Sequence, residues 1–189
     1  MALTIHMPRA LASALSLAML MAGLTAADTV DAQTRGPANA LIDDAGFFRD
    51  VLEAQRLRAT RRVTEAEFIR MASEPGTVVL DVRSSQFYAM RHVAGAVNLS
   101  FTEFTKDALA RVIPTRNTRV LIYCNNNFVG APESMATKAP SAALNLSTYT
   151  SLVSYGYRNV VELGPEIHVA RAKLVFAGSE VGAARRASR

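Results

Sequence analysis

The only cysteine of this chain, Cys124, is followed directly by three asparagines in the stretch "YCNNNFVG", residues 123–130. A thiolate is the reactive form of cysteine, so the chemistry of this position turns on what surrounds the sulfur. Asparagine enters left-handed backbone conformations more readily than most residues. "NNN" can therefore curl the chain until successive N–H groups face one anionic atom. The same run also suits an ordinary exposed turn. On residue types alone, an inert buried thiol and a loop-held nucleophile both stay open.

Several kinds of thiol chemistry fit poorly. A cysteine-dependent phosphatase needs an arginine closing the loop, where Gly130 stands. A Cys–His hydrolase needs a histidine brought beside the thiol. His92 and His168 are available, but a lone histidine is more often structural. Metal binding lacks any paired ligand spacing. No phosphate-binding glycine loop, dinucleotide fingerprint or serine elbow occurs, so neither metal nor cofactor is expected.

The 189 residues, half of them apolar, suffice for one globular domain plus extra segments, and no internal repeat is visible. Residues 1–32 have the pattern of an export signal. Arg9 precedes the uncharged apolar run 10–24, and small residues offer cleavage after Ala27 or Ala32. The run is short for a bilayer span, and no cysteine stands at the cleavage point to carry a lipid. A periplasmic or secreted chain is expected, with no membrane span once the signal is removed. Exported proteins usually hold cysteines in pairs, and a solitary one cannot form an internal bridge. The formal charge is +5, and "RRASR" at the C-terminus has the composition of a solvated tail. No basic stripe interleaved with aromatics supports nucleic-acid binding.

The elements that must position Cys124 follow from periodicity. After a linker broken by Gly36 and Pro37, residues 43–60 suggest a helix. Phe47, Phe48, Val51 and Leu52 make its expected inner stripe, against Arg49, Asp50, Glu53 and Arg56. Thr64 with Glu67 forms a capping-box pattern before a helix whose inner face is Phe68, Ile69 and Met71, stopped by Pro75–Gly76. "TVVLDV" (77–82) is a continuous β-branched run, as in a strand buried on both faces. A short helix or turn (84–95), a short strand (96–100) and a helix closed by Pro114 (102–113) come next. "RVLIYC" (119–124) is a second buried strand that ends on Cys124, followed by a loop over 125–140. A helix over 141–156 offers Leu144, Tyr149, Leu152 and Val153 inward, with Gly156 as its cap, and "RNVVEL" (158–163) is a further strand. Alternating strands and helices predict an α/β domain around a mainly parallel sheet, where ligands gather at the strands' carboxyl ends.

Three segments, in order, resemble the rhodanese-like family. "VVLDVRSSQFYAMRHVAGAVNLSF" (78–101) is similar to its first signature, "VLIYC" to the strand ending in the active-site cysteine, and "SYGYRNVVELGPEI" to its closing segment. The resemblance implies a three-layer domain over residues 61–168, a mainly parallel central sheet flanked by helices. A linker and N-terminal extra helix (33–60) would precede it and a basic extension (169–189) would follow. It implies a sulfurtransferase in which Cys124 takes sulfane sulfur from a small donor and passes it, as a persulfide, to a thiophilic acceptor. The backbone N–H groups of Asn125, Asn126, Asn127, Phe128 and Val129 would cradle that sulfur, which is expected to be partly exposed. Asp81 and Arg83 would form a supporting ion pair, and His92 would hold its own loop. Phe87 would belong to the core. The chain departs from the family's thiosulfate-using members in lacking glycine and a basic residue soon after the cysteine. It also carries an apparent insertion, "GAPESMATKAP" (130–140), whose Lys138 is a candidate cation. The "CNNNF" loop is similar to that of exported single-domain rhodanese-like proteins. A binding or redox-sensing module that keeps the fold is the alternative, because fold does not fix function.

Overall fold

Five short strands, read from the apolar runs above, lie side by side in a computed structural model that describes residues 39–181. The expected export signal, nearly all of the linker and the "RRASR" tail lie outside the described residues. The first helix, α1 (Asp44–Arg58), leads into the two-residue strand β1 (Arg62–Val63). Helix α2 (Glu65–Ala72) opens with the capping box: Thr64 accepts from the Glu67 N–H, and the Glu67 carboxylate accepts from the Thr64 N–H at 3.0 Å. Strand β2 (Thr77–Asp81), helix α3 (Ser85–Met90), β3 (His92–Val93) and β4 (Val97–Asn98) follow. Then come α4 (Lys106–Val112) and β5 (Arg119–Tyr123). After β6 (Phe128–Val129), helix α5 (Leu144–Ser154) ends at Gly156, whose φ of +86° suits a residue without a Cβ. β7 (Val160–Leu163), β8 (Ile167–His168) and β9 (Phe176–Ala177) complete the described chain.

The main sheet has the order β1–β7–β5–β2–β4, and every pair in it is parallel. A parallel sheet must be covered on both faces, and the period of two along each strand shows how. On β5, Val120 and Ile122 join Leu80, Leu109, Tyr149 and Leu152 in the core beneath α1, α4 and α5. Leu121 and Tyr123, pointing the other way, join Phe68, Val79, Phe128 and Leu163 beneath α2. The architecture is therefore the expected three-layer α/β arrangement. Two small sheets, β3 against β9 and β6 alongside β8, went unread in the sequence because two-residue strands have no detectable period.

The inner stripe expected for α1 needs correction. Phe47, Phe48 and Leu52 are 56%, 65% and 66% exposed, while Ala54 and Leu57 are the buried residues. A small side chain at Ala54 lets two helices approach closely, so packing geometry overrode the larger apolar side chains.

Candidate active site

The alternation that builds the core also sets the side on which the thiol emerges. Cys124 follows Tyr123 at the carboxyl end of β5, and so shares the face of Val120 and Ile122, beneath α1 and α5. On the neighbouring β7, Glu162 lies between Val161 and Leu163, which turn to the opposite face, so its carboxylate shares the thiol's face. Directly after Cys124 the chain makes one tight turn, Asn125–Asn127. Asn127 closes it by accepting the Cys124 N–H on Oδ1 at 2.9 Å, while its own N–H donates to the Cys124 carbonyl at 3.1 Å. Its Nδ2 reaches the Leu163 carbonyl at 2.9 Å, which ties the turn to the end of β7.

Five consecutive loop amides do not form the cradle. The Phe128 N–H is taken by the Asn125 carbonyl, and the Phe128 ring is fully buried against Tyr123 and Phe176. Val129 lies in β6 opposite His168. The N–H groups of Asn145, Asn126 and Leu144 lower the thiol pKa, and the Asn127 N–H also faces the Cys124 side chain from within the turn; the first three come from two segments. Two of these three are the first residues of α5, about twenty positions downstream. Ala143 at the helix N-cap has no side-chain acceptor, so the opening N–H groups of α5 are left for the sulfur. The helix dipole thus reaches the thiol from a segment that spacing in the sequence could not connect to it.

Expected partial exposure is also corrected: Cys124 is only 1% exposed. Burial pushes the thiol pKa up. The Asn145, Asn126 and Leu144 N–H groups pull it down, and Glu162 adds to the rise. Burial wins.

Beside the sulfur lies a cavity of about 340 Å³ whose lining includes Arg58, Arg62, Cys124, Asn126, Asn145 and Glu162. A cation is therefore present, although the near loop has none. Arg58, in the last turn of α1, holds both oxygens of Glu162 at 2.6 and 3.0 Å and lies within Coulombic reach of the sulfur. Asn145 donates to Glu162 at 3.3 Å and to Asn127 Oδ1 at 3.1 Å. A continuous chain of contacts thus runs from α1 to the backbone of Cys124. Asn145, Glu162 and the two arginines Arg58 and Arg62 were the residues the sequence reading missed. An asparagine opening a helix and a glutamate inside an apolar strand were the available signals.

Asp81 and Arg83 pair at the carboxyl end of β2, with Arg83 Nη2 on Asp81 Oδ2 at 2.5 Å and Tyr123 donating to the same oxygen. Arg83 also donates to the carbonyls of Ser134 at 2.8 Å and Arg91 at 2.7 Å. The buried pair therefore clamps the 130–140 segment rather than facing the thiol, and it does not line the cavity. Asn126 ties the segment's other end, exchanging two hydrogen bonds with the Lys138 backbone at 2.8 and 3.0 Å. The Lys138 side chain stays outside the cavity lining, whereas Pro140 forms part of its wall. His92 Nδ1 bonds to the Tyr88 carbonyl at 2.7 Å, and the two rings stack. Phe87 is only half-buried.

Comparison with known proteins gives one family and several distant likenesses. The rhodanese-like domain profile matches residues 64–163, more than half of the chain. Thiosulfate sulfurtransferase PspE from Escherichia coli (strain K12) is 39% identical over 46 residues, 24% of this chain. That match spans 43% of PspE, less than half its length. Among solved structures, the BH2092 protein from Bacillus halodurans is 17% identical with a TM-score of 0.46, covering 70% of this chain and 87% of that one. A rhodanese from E. coli is 23% identical with a TM-score of 0.36, covering 55% of this chain and 99% of that one.

Proposed function

This chain belongs to the rhodanese-like domain family, and from that premise we propose that it is an exported sulfurtransferase carrying sulfane sulfur on Cys124. The observation that supports this most is the sulfur's position. It sits at the carboxyl end of the central strand, faced by N–H groups from two segments and opening beside a polar cavity. Such preorganised dipoles stabilise negative charge on sulfur, both on the thiolate and on the persulfide that replaces it.

With thiosulfate as donor, the Cys124 thiol first gives its proton to solvent. The thiolate then attacks the sulfane sulfur. A new S–S bond forms, the donor's S–S bond breaks, and sulfite leaves with the electron pair. The terminal persulfide sulfur is then taken by a thiophilic acceptor: cyanide leaves as thiocyanate and returns the thiolate. The extra sulfur occupies the cavity next to the Asn126 and α5 amides. Asn127 closes the loop and turns its N–H to the Cys124 side chain, while the Phe128 N–H is spent on the Asn125 carbonyl. Residues 1–32 act as the export signal, placing the enzyme in the periplasm. Among the described residues no helix is long and apolar enough to cross a membrane.

The test is a thiosulfate-to-cyanide assay on the wild type and Cys124→Ser. Turnover confined to the wild type, with a gain of one sulfur on Cys124 by mass spectrometry, supports the proposal; turnover that survives the substitution overturns it. The burial of the thiol and its raised pKa favour a second reading, a catalytically weak binding or redox-sensing module. Failure of Cys124 to gain sulfur from thiosulfate, polysulfide or an organic persulfide establishes that reading instead.

A further inference from the structure

We infer that Arg62 draws small anions, the sulfur donor first among them, to Cys124. This rests on the sulfurtransferase reading for the identity of the donor, but the geometry behind it stands apart from that reading. The charged residues lining the Cys124 cavity are Arg58, Arg62 and Glu162. Both oxygens of Glu162 are held by Arg58, and Asn145 adds a third donor to the same carboxylate. Arg58 and Glu162 therefore cancel, and one positive charge is left at the cavity.

That charge is Arg62. It lies on the edge strand β1, opposite Glu162 in the parallel register with β7, so the two side chains share a face of the sheet. Arg62 is the natural competitor for Glu162, yet Arg58 holds the carboxylate. Arg62 is exposed and has no ion-pair partner among the described residues. Its Cβ lies 3.7 Å from where a side chain on Gly164 would begin, so the missing side chain at Gly164 leaves the arginine stem room beside the cavity. Of the other candidate cations, Arg83 is committed to Asp81, and Lys138 is not part of the lining. An exposed guanidinium on the cavity lining suits recruitment of a small anion such as thiosulfate, which it can bind through two parallel N–H groups.

The test compares alkylation of Cys124 in the full chain by iodoacetate, an anion, and iodoacetamide, its neutral counterpart. The ratio of the two rates cancels changes in thiol pKa. For one charge several ångströms from the entering carboxylate in a water-like dielectric, Arg62→Gln lowers that ratio about threefold at low salt, and less as salt rises. Arg62→Glu lowers it further, and Arg62→Lys restores most of it. Arg171→Gln, which removes an exposed cation outside the cavity, leaves it unchanged. In turnover, Arg62→Gln raises KM for thiosulfate with kcat preserved. A ratio that ignores Arg62, or falls equally in Arg171→Gln, overturns the inference. So does a native thiol that neither reagent reaches, because a site closed to them is closed to the donor. If the ratio follows Arg62 but no donor loads the thiol with sulfur, the anion dock stands and the sulfurtransferase reading falls.

Discussion

At the scale of single residues, Cys124 is held between opposing terms. Three N–H groups favour its thiolate, while burial and the Glu162 carboxylate disfavour it, and the balance raises the pKa. Alkylation by iodoacetamide is therefore expected to accelerate with pH through and beyond the ordinary thiol range, giving an apparent pKa above that of a free cysteine in the same buffer. Glu162→Gln removes the negative charge that helps raise it, so the same titration should shift to lower pH. The raised value also has a sign for stability. Below the ordinary thiol pKa both folded and unfolded chains keep the proton. As pH climbs from there through the folded value, the folded chain holds the proton longer, and stability falls. Urea midpoints measured across that window should decline in the wild type, and the decline should be smaller in Cys124→Ser.

Among the elements, α1 and the 130–140 loop are the parts that the thiol depends on from a distance. The Arg58–Glu162 pair is mostly buried, with side chains 17% and 7% exposed. Breaking it with Arg58→Gln strands the carboxylate beside the sulfur. The expected cost is roughly 2–3 kcal/mol, between that of an exposed and a fully buried pair, read from urea denaturation. Glu162→Gln in the same background should recover part of that loss, because the unpaired charge is gone. That loop is fastened at one end by Arg83 through Ser134 and at the other by Asn126 through the Lys138 backbone. Asn126→Ala removes two of these ties, so limited proteolysis should cut faster within residues 130–140 while the rest of the domain keeps its protection. Ala54 marks the close approach of α1 to α5. Ala54→Leu should overpack it, lowering stability by about 1–3 kcal/mol in the same denaturation experiment.

Across the whole molecule, the strands and helices that carry the site were legible because their patterns are local. The apolar runs at 77–82 and 119–124, the Thr64–Glu67 capping box and Gly156 each report a backbone state from a few neighbouring residues. The place of Cys124 at a strand's carboxyl end followed from the same runs. The faces of α1 were misread because Phe47, Phe48 and Leu52 outweigh Ala54 in any hydrophobic pattern, whereas the packed helix selects by fit. The sequence by itself determined a parallel α/β sheet and a solitary thiol at the carboxyl edge of its strands. Only the tertiary structure decided the thiol's surroundings. The amides of Leu144 and Asn145, the carboxylate of Glu162 and the guanidinium groups of Arg58 and Arg62 come from α5, β7, α1 and β1. They gather around the sulfur and its cavity because the order β1–β7–β5 places β7 beside the cysteine's strand and β1 just beyond it, with α1 and α5 covering that face. Electrostatic and hydrogen-bonding forces act over ångströms of space, and no local spacing in the chain encodes those distances.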